Sequence, residues 1–153
     1  MDIKKARADF QLVKSRVNKF NFETKLASKV DGPAKLDYDI DYNISDTSSD
    51  EDNLIGVVEF FVTAKAKIKN NILFSVYHKM EGVFYGNPAV LDEKNFAFML
   101  ELNGVATLTH LSRAYILSAT SLLGLNPPIR LPMININQLK KLKSKTDEDK
   151  GDN

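Results

Sequence analysis

The sequence predicts an α+β domain: a four-stranded antiparallel sheet, with two C-terminal helices packed on one of its faces. Two observations carry this. Between residues 17 and 85, apolar residues recur at every second position in four successive runs, as they do in half-buried strands. After Asp92 the apolar spacing becomes helical, and it stays so until a glycine and two prolines. Strands followed by helices is the order of an α+β domain.

The elements follow in chain order. Residues 2–16 carry Ile3, Ala6, Phe10 and Val13 on one helical stripe among lysines, which predicts a short amphipathic arm packed on its own domain. From Val17 the period is two: Phe20, Phe22, Leu26 and Val30 lie on one face, with Lys19, Asn21, Glu23 and Lys25 on the other. Asp31-Gly32-Pro33 is a turn. The second run sets Leu36, Tyr38, Ile40, Tyr42 and Ile44 against Lys35, Asp37, Asp39, Asp41 and Asn43. The acidic, polar stretch Ser45 to Asp52 is expected to be an exposed loop. The third run places Val58, Phe60, Val62, Ala64, Ala66 and Ile68 on one face, and Asn70-Asn71 suit a tight hairpin turn. The fourth returns through Phe74, Val76, His78, Met80 and Phe84 before Gly86-Asn87-Pro88 end it.

Asp92 and Glu93 favour the start of a first helix ending near Leu102. Asn103 is then a suitable N-cap for a second. Its expected core stripe is Leu108, Leu111, Tyr115, Ala119 and Leu122, widened by Ile116 and Leu123. Gly124 is a left-handed stop and Pro127-Pro128 forbid continuation. Ile129, Leu131, Met133, Ile134 and Ile136 form an extended apolar segment. The tail 140–153, KKLKSKTDEDKGDN, has so little apolar content that disorder is expected. The domain division is therefore an arm at 1–16, an α+β domain at 17–139 and a charged tail at 140–153.

Ser112-Arg113-Ala114, Gly124, Asn126-Pro127-Pro128, Leu131, Pro132, Ile134-Asn135-Ile136 and Leu139 follow one another in an order that resembles the end of the SecB family of export-type chaperones. Phe22-Glu23, Lys35-Leu36-Asp37-Tyr38-Asp39, Val62-Thr63-Ala64 and Gly82-Val83-Phe84 add matches in the four strands. The resemblance spans residues 17–139. It implies an ATP-independent holdase that grips unfolded polypeptide in hydrophobic grooves, assembled as a homotetramer (a dimer of dimers) and without a cofactor. The absence of cysteine, of a signal-peptide core and of a membrane span lets the sequence be read as cytoplasmic.

Carried onto this chain, the resemblance implies a polypeptide-binding surface of Leu36, Tyr38, Ile40 and Tyr42, Val58 and Phe60, and Leu122, Leu123 and Leu125. Tyr38 and Tyr42 suit it best, being large, amphipathic and tolerant of partial exposure. Each of these residues would equally serve as plain core. The family's acidic outer sheet face contacts the motor ATPase SecA. The matching positions here are Lys19, Glu23, Ser75 and Tyr77, of which only Glu23 is acidic, and Lys65 and Lys67 make the face mixed. That departure weakens the implied SecA contact and favours other clients, such as the antitoxin of a toxin–antitoxin system. A dedicated antitoxin adaptor of the same fold is the alternative to a broad holdase.

Composition narrows the classes. A formal net charge of +1 does not suit an electrostatically driven nucleic-acid binder, so the lysine stripe Lys65, Lys67 and Lys69 beside Phe61 is read as a solvated sheet face. The chain has no cysteine, which removes disulfides, thiol catalysis and cysteine-built zinc sites. The opening MDIKKARADFQLVK has no signal-peptide core, and no stretch approaches the ~20 apolar residues of a membrane span. Asp37, Asp39 and Asp41 alternate along one strand, ~7 Å apart, too far to share a cation unaided. His78 and His110 fall on different elements, Ser112 and Ser118 lack a nucleophile elbow, and no phosphate-binding glycine loop occurs. Enzymatic activity and metal binding are therefore not expected.

Overall fold

The computed structural model describes residues 7–25 and 33–151, with backbone alone for 148–151. Its element order is β1 (Phe10–Thr24), β2 (Lys35–Ile44), β3 (Ser48–Ser49), β4 (Leu54–Ile68), β5 (Asn71–Gly86), α1 (Glu93–Met99), α2 (Val105–Leu122) and α3 (Ile136–Gly151). The antiparallel sheet runs β1-β5-β4-β2, with the short β3 pairing β4. Helices cover one face, so the predicted α+β class holds. Leu26, Val30, Asp31, Gly32 and the start of the N-terminal arm lie outside the described residues.

β4 and β5 are the central strands; the even-numbered positions are buried along all of β4 and from Val76 onward in β5. Val58, Phe60, Val62, Val76 and Phe84 are buried against Phe96, Leu100, Val105, Leu108 and Ile116 from the helices. Glycines allow this close approach. A Cβ on Gly56 would stand 2.3 Å from Leu100 Cδ1, so only a bare backbone lets that leucine lie flat on β4.

The edges of the sheet depart from the sequence expectations. Residues 10–16 are strand rather than helix. β1 carries register shifts between Leu12 and Lys14 and between Val17 and Lys19. Each shift moves the inward side of the strand by one residue, so Phe10, Leu12, Val17, Phe20 and Phe22 all pack on the core. The resulting spacing imitates a helical stripe. The hairpin between β4 and β5 turns at Lys69-Asn70, with φ 54° at Lys69, one residue before the expected pair. The acidic loop is exposed as expected, apart from the two-residue pairing of β3 with Leu54 and Ile55.

The two predicted helices are one continuous helical run. Asp92 caps it, its Oδ1 accepting the Asn95 backbone N–H at 2.7 Å. Asn103 is no N-cap: a π-helical turn, Leu100–Gly104, carries the chain straight into α2. The core-facing stripe of α2 is also rotated from the expected one, to Val105, Leu108, Thr109, Ser112, Ile116 and Thr120. The polar members of that stripe are satisfied. Thr109 Oγ1 donates to the Val105 carbonyl, and Thr120 Oγ1 donates to the Ile116 carbonyl while accepting the Ile129 N–H at 3.0 Å. Gly124, at φ 88°, stops the helix as predicted, with Leu125 N–H bonding back to the Thr120 carbonyl.

Beyond the prolines, Ile129 and Leu131 plug the core in an irregular segment. The chain after it is helical where disorder was expected: α3 begins at Ile136 and takes in residues 140–151 of what reads as tail. Asn135 Oδ1 accepts the Gln138 N–H at 3.2 Å and starts it. No helix among the described residues is long and apolar enough to cross a membrane.

Candidate functional site

The inner face of β2 is where apolar side chains meet polar partners and incomplete packing. Leu36, Tyr38 and Ile40 are half-buried there, against the core edge. Tyr38 Oη donates to the Arg130 carbonyl at 3.1 Å, which ties the strand to the post-proline segment. Burial raises the Tyr38 phenol above its ordinary pKa. Tyr42, 2% exposed, donates to Glu101 Oε1 at 3.0 Å. Burial first, then that hydrogen bond and the nearby carboxylates, push its pKa up strongly.

α3 borders this face. Ile136 and Leu139 pack on the core edge, Lys140 pairs with Glu101, and Lys143 pairs with Asp41 at 2.8 Å. Both lysines also lie near rings: Lys143 Nζ is 5.1 Å from the Tyr42 centroid, and Lys140 Nζ is 5.8 Å from that of Phe98. Two clefts remain between strand and helix. One, of about 390 Å³, is lined by Tyr42, Ile44, Glu101 and Lys140; the other, of about 300 Å³, by Asp39, Ile40, Leu139 and Leu142.

The expected polypeptide-binding residues thus separate into three groups. Leu36, Tyr38, Ile40 and Tyr42 share one face of one edge strand. Val58 and Phe60 are 0% exposed beneath the helical run, so they support this surface from the core and offer no surface of their own. Leu122 and Leu123, 89% and 50% exposed, project at the end of α2, while Leu125 packs on the core edge. Glu101, Phe98, Lys140 and Lys143 were missed in the sequence. The only signal for them was the weak stripe Ile136, Leu139, Leu142, Thr146 in a segment otherwise charged.

Lys19, Glu23, Ser75 and Tyr77 are neighbours on the outer face of β1 and β5. Glu23 pairs in register with Ser75, Asn21 with Tyr77, and Lys19 Nζ lies 5.5 Å from the Tyr77 ring centroid. Several charges around them are paired: Lys79 with Glu59, Arg16 with Glu81 at 2.9 Å, and Lys35 with Asp37 at 3.1 Å. The face is mixed rather than acidic.

His78 on β5 is fully buried, 0% exposed. Its Nε2 lies 2.9 Å from Ser112 Oγ, its ring stacks on Tyr115 at 5.3 Å, and Nδ1 has no partner among the described residues. Burial pushes its pKa down to about 4, so the ring is neutral near pH 7. No group of three or more metal-ligating side chains occurs among the described residues.

No family model matches this chain, and no curated protein matches it by sequence. Its fold does match solved structures. A SecB-like chaperone from Mycobacterium tuberculosis, in complex with a ChAD peptide from the HigA1 antitoxin, aligns at TM-score 0.63 and 16% identity over 86% of this chain and 95% of that one. A protein of unknown function from Streptococcus agalactiae aligns at TM-score 0.47 and 11% identity, over 81% of this chain and 97% of that one. The chain has a SecB-like fold.

Proposed function

We propose that this chain is an ATP-independent chaperone of SecB-like fold that holds non-native polypeptide on the β2 face and the exposed end of α2. One observation carries the reading. Half-buried Leu36, Tyr38 and Ile40 line one face of an edge strand, in a fold whose M. tuberculosis counterpart was solved with an antitoxin peptide. An edge strand presents unpaired backbone groups to an extended chain, and alternate side chains supply pockets beside it.

Exposed apolar residues on the helical side outside that surface, among them Tyr115 and Met133, favour assembly of several copies, and we infer a homotetramer. The test of the main reading is suppression of aggregation of two unrelated unfolded proteins, without nucleotide. Wild-type protein is expected to protect both, and Leu36→Ser with Ile40→Ser to protect several-fold less while keeping its circular dichroism and its mass by light scattering. Protection of neither by a folded sample would sink the holdase reading.

A dedicated antitoxin adaptor is the second reading, and the antitoxin peptide in the M. tuberculosis structure favours it. Protection of one cognate antitoxin and of no general client would establish it. The mixed outer face argues for these clients over a SecA-type contact, because a face of both signs, partly paired, attracts an oppositely charged patch less than an acidic face does.

A further inference from the structure

Helix α3 lies on the ground that the proposed client uses, and it is held there loosely. Its apolar attachment is confined to Ile136 and Leu139 at its start. From Lys140 onward it is held by the pairs Lys140–Glu101 and Lys143–Asp41 and by the approach of both lysines to aromatic rings. The next aliphatic residue, Leu142, is 62% exposed. The clefts of about 390 and 300 Å³ show that α3 rests on β2 without filling the space between them. Partly exposed ion pairs contribute little and are screened by salt, and a helix of this length and composition is marginal without its dock.

We propose that α3 is a displaceable cover: in the free protein it occupies the β2 face, and a client polypeptide binds there as α3 leaves. This rests on the holdase reading above and adds competition to it. The groups that hold α3 are the groups an incoming chain would need. Tyr42 and Phe98 offer rings, Asp41 and Glu101 offer carboxylates at the rim, and Ile40 offers an aliphatic contact beside the helix. β2 is also a sheet edge, paired on one side only by β4. A peptide that adds to that edge meets α3 first. The occupant of the surface is thus a segment of the chain itself, and its tether keeps it at high local concentration.

The absence of cysteine makes a direct test simple, because introduced thiols are unique. Asn43→Cys and Ser144→Cys, both on the rim of one cleft, carry a spin-label pair in one sample and a short bismaleimide crosslink in another. The probe is a fluorescent, reduced and carboxymethylated lactalbumin, which cannot fold. Three full-length forms are compared: the labelled protein, the same protein with Lys140→Gln and Lys143→Gln, and the crosslinked protein. The expected result is an affinity about fivefold tighter for the double glutamine variant and at least about tenfold weaker for the crosslinked form. The spin labels are expected to separate when the probe binds. Equal affinity in all three forms, with binding present, overturns the cover and leaves the holdase standing. No binding by any form, the double variant included, overturns both.

Discussion

The paired strands β4 and β5 differ from β2 in a way their sequences hide. All three alternate apolar and polar residues with the same period. In β4 every even position is buried, whereas in β2 only Tyr42 is. The difference lies in the neighbours: β4 has a strand on each side and helices above, β2 has one strand partner and, on its open side, a lysine-rich helix. Period two reports that a strand has one apolar face. It does not report whether that face is closed by protein or left for something else.

The sharpest way to break this contrast is to cut into the sealed side. Phe60→Ala removes a fully buried ring between β4 and the helices and is expected to destabilise the fold by ~3–5 kcal/mol in urea titration, with a normal m-value. Leu36→Ala on β2 is expected to cost well under half of that, since its side chain is only half-buried. Equal losses at the two sites would mean that β2 is as closed as β4 in solution, and the proposed binding face would go with it.

A second test separates the regions by pH. The fold accepts His78 only as the neutral ring, because burial lowers its pKa to about 4. The unfolded chain takes up the proton near pH 6.5. The stability this contributes is therefore whole above pH 6.5 and is lost as the pH falls toward 4. The slope approaches ~1.4 kcal/mol per pH unit inside that window. His78→Gln is expected to flatten the slope between pH 6.5 and 5, whatever its starting stability. A wild-type protein with flat stability across that range would show that His78 is not sealed.

What could be read from the sequence follows the same division. β4, β5 and the Gly124 stop were legible because burial there is one-sided and regular: Val58 to Ile68 and Val76 to Phe84 alternate without a break. β1 was legible only in part, since two register shifts put Leu12 and Val17, of opposite parity, on the same side. The core stripe of α2 was misplaced because Thr109, Ser112 and Thr120 face inward with their hydroxyls paired, which a hydropathy pattern counts as outward. Of the candidate site, the β2 residues were legible and α3 was not. A helix held by Lys140 and Lys143 against acids some forty and a hundred residues away has no local signal.

The smallest expected effect is the most informative about that helix. Lys143→Gln removes the pair with Asp41 and the cation above Tyr42, both at a partly exposed site. Global stability is expected to fall by less than ~1 kcal/mol, and by less still in 0.5 M salt, where the pair is already screened. The local effect should be larger than the global one. Amide exchange is expected to quicken along residues 140–151 while β4 and β5 keep their protection, because α3 opens without unfolding the core. A loss of several kcal/mol, or a matching loss of protection in β4, would mean that α3 is a cooperative part of the core and that the two regions are one.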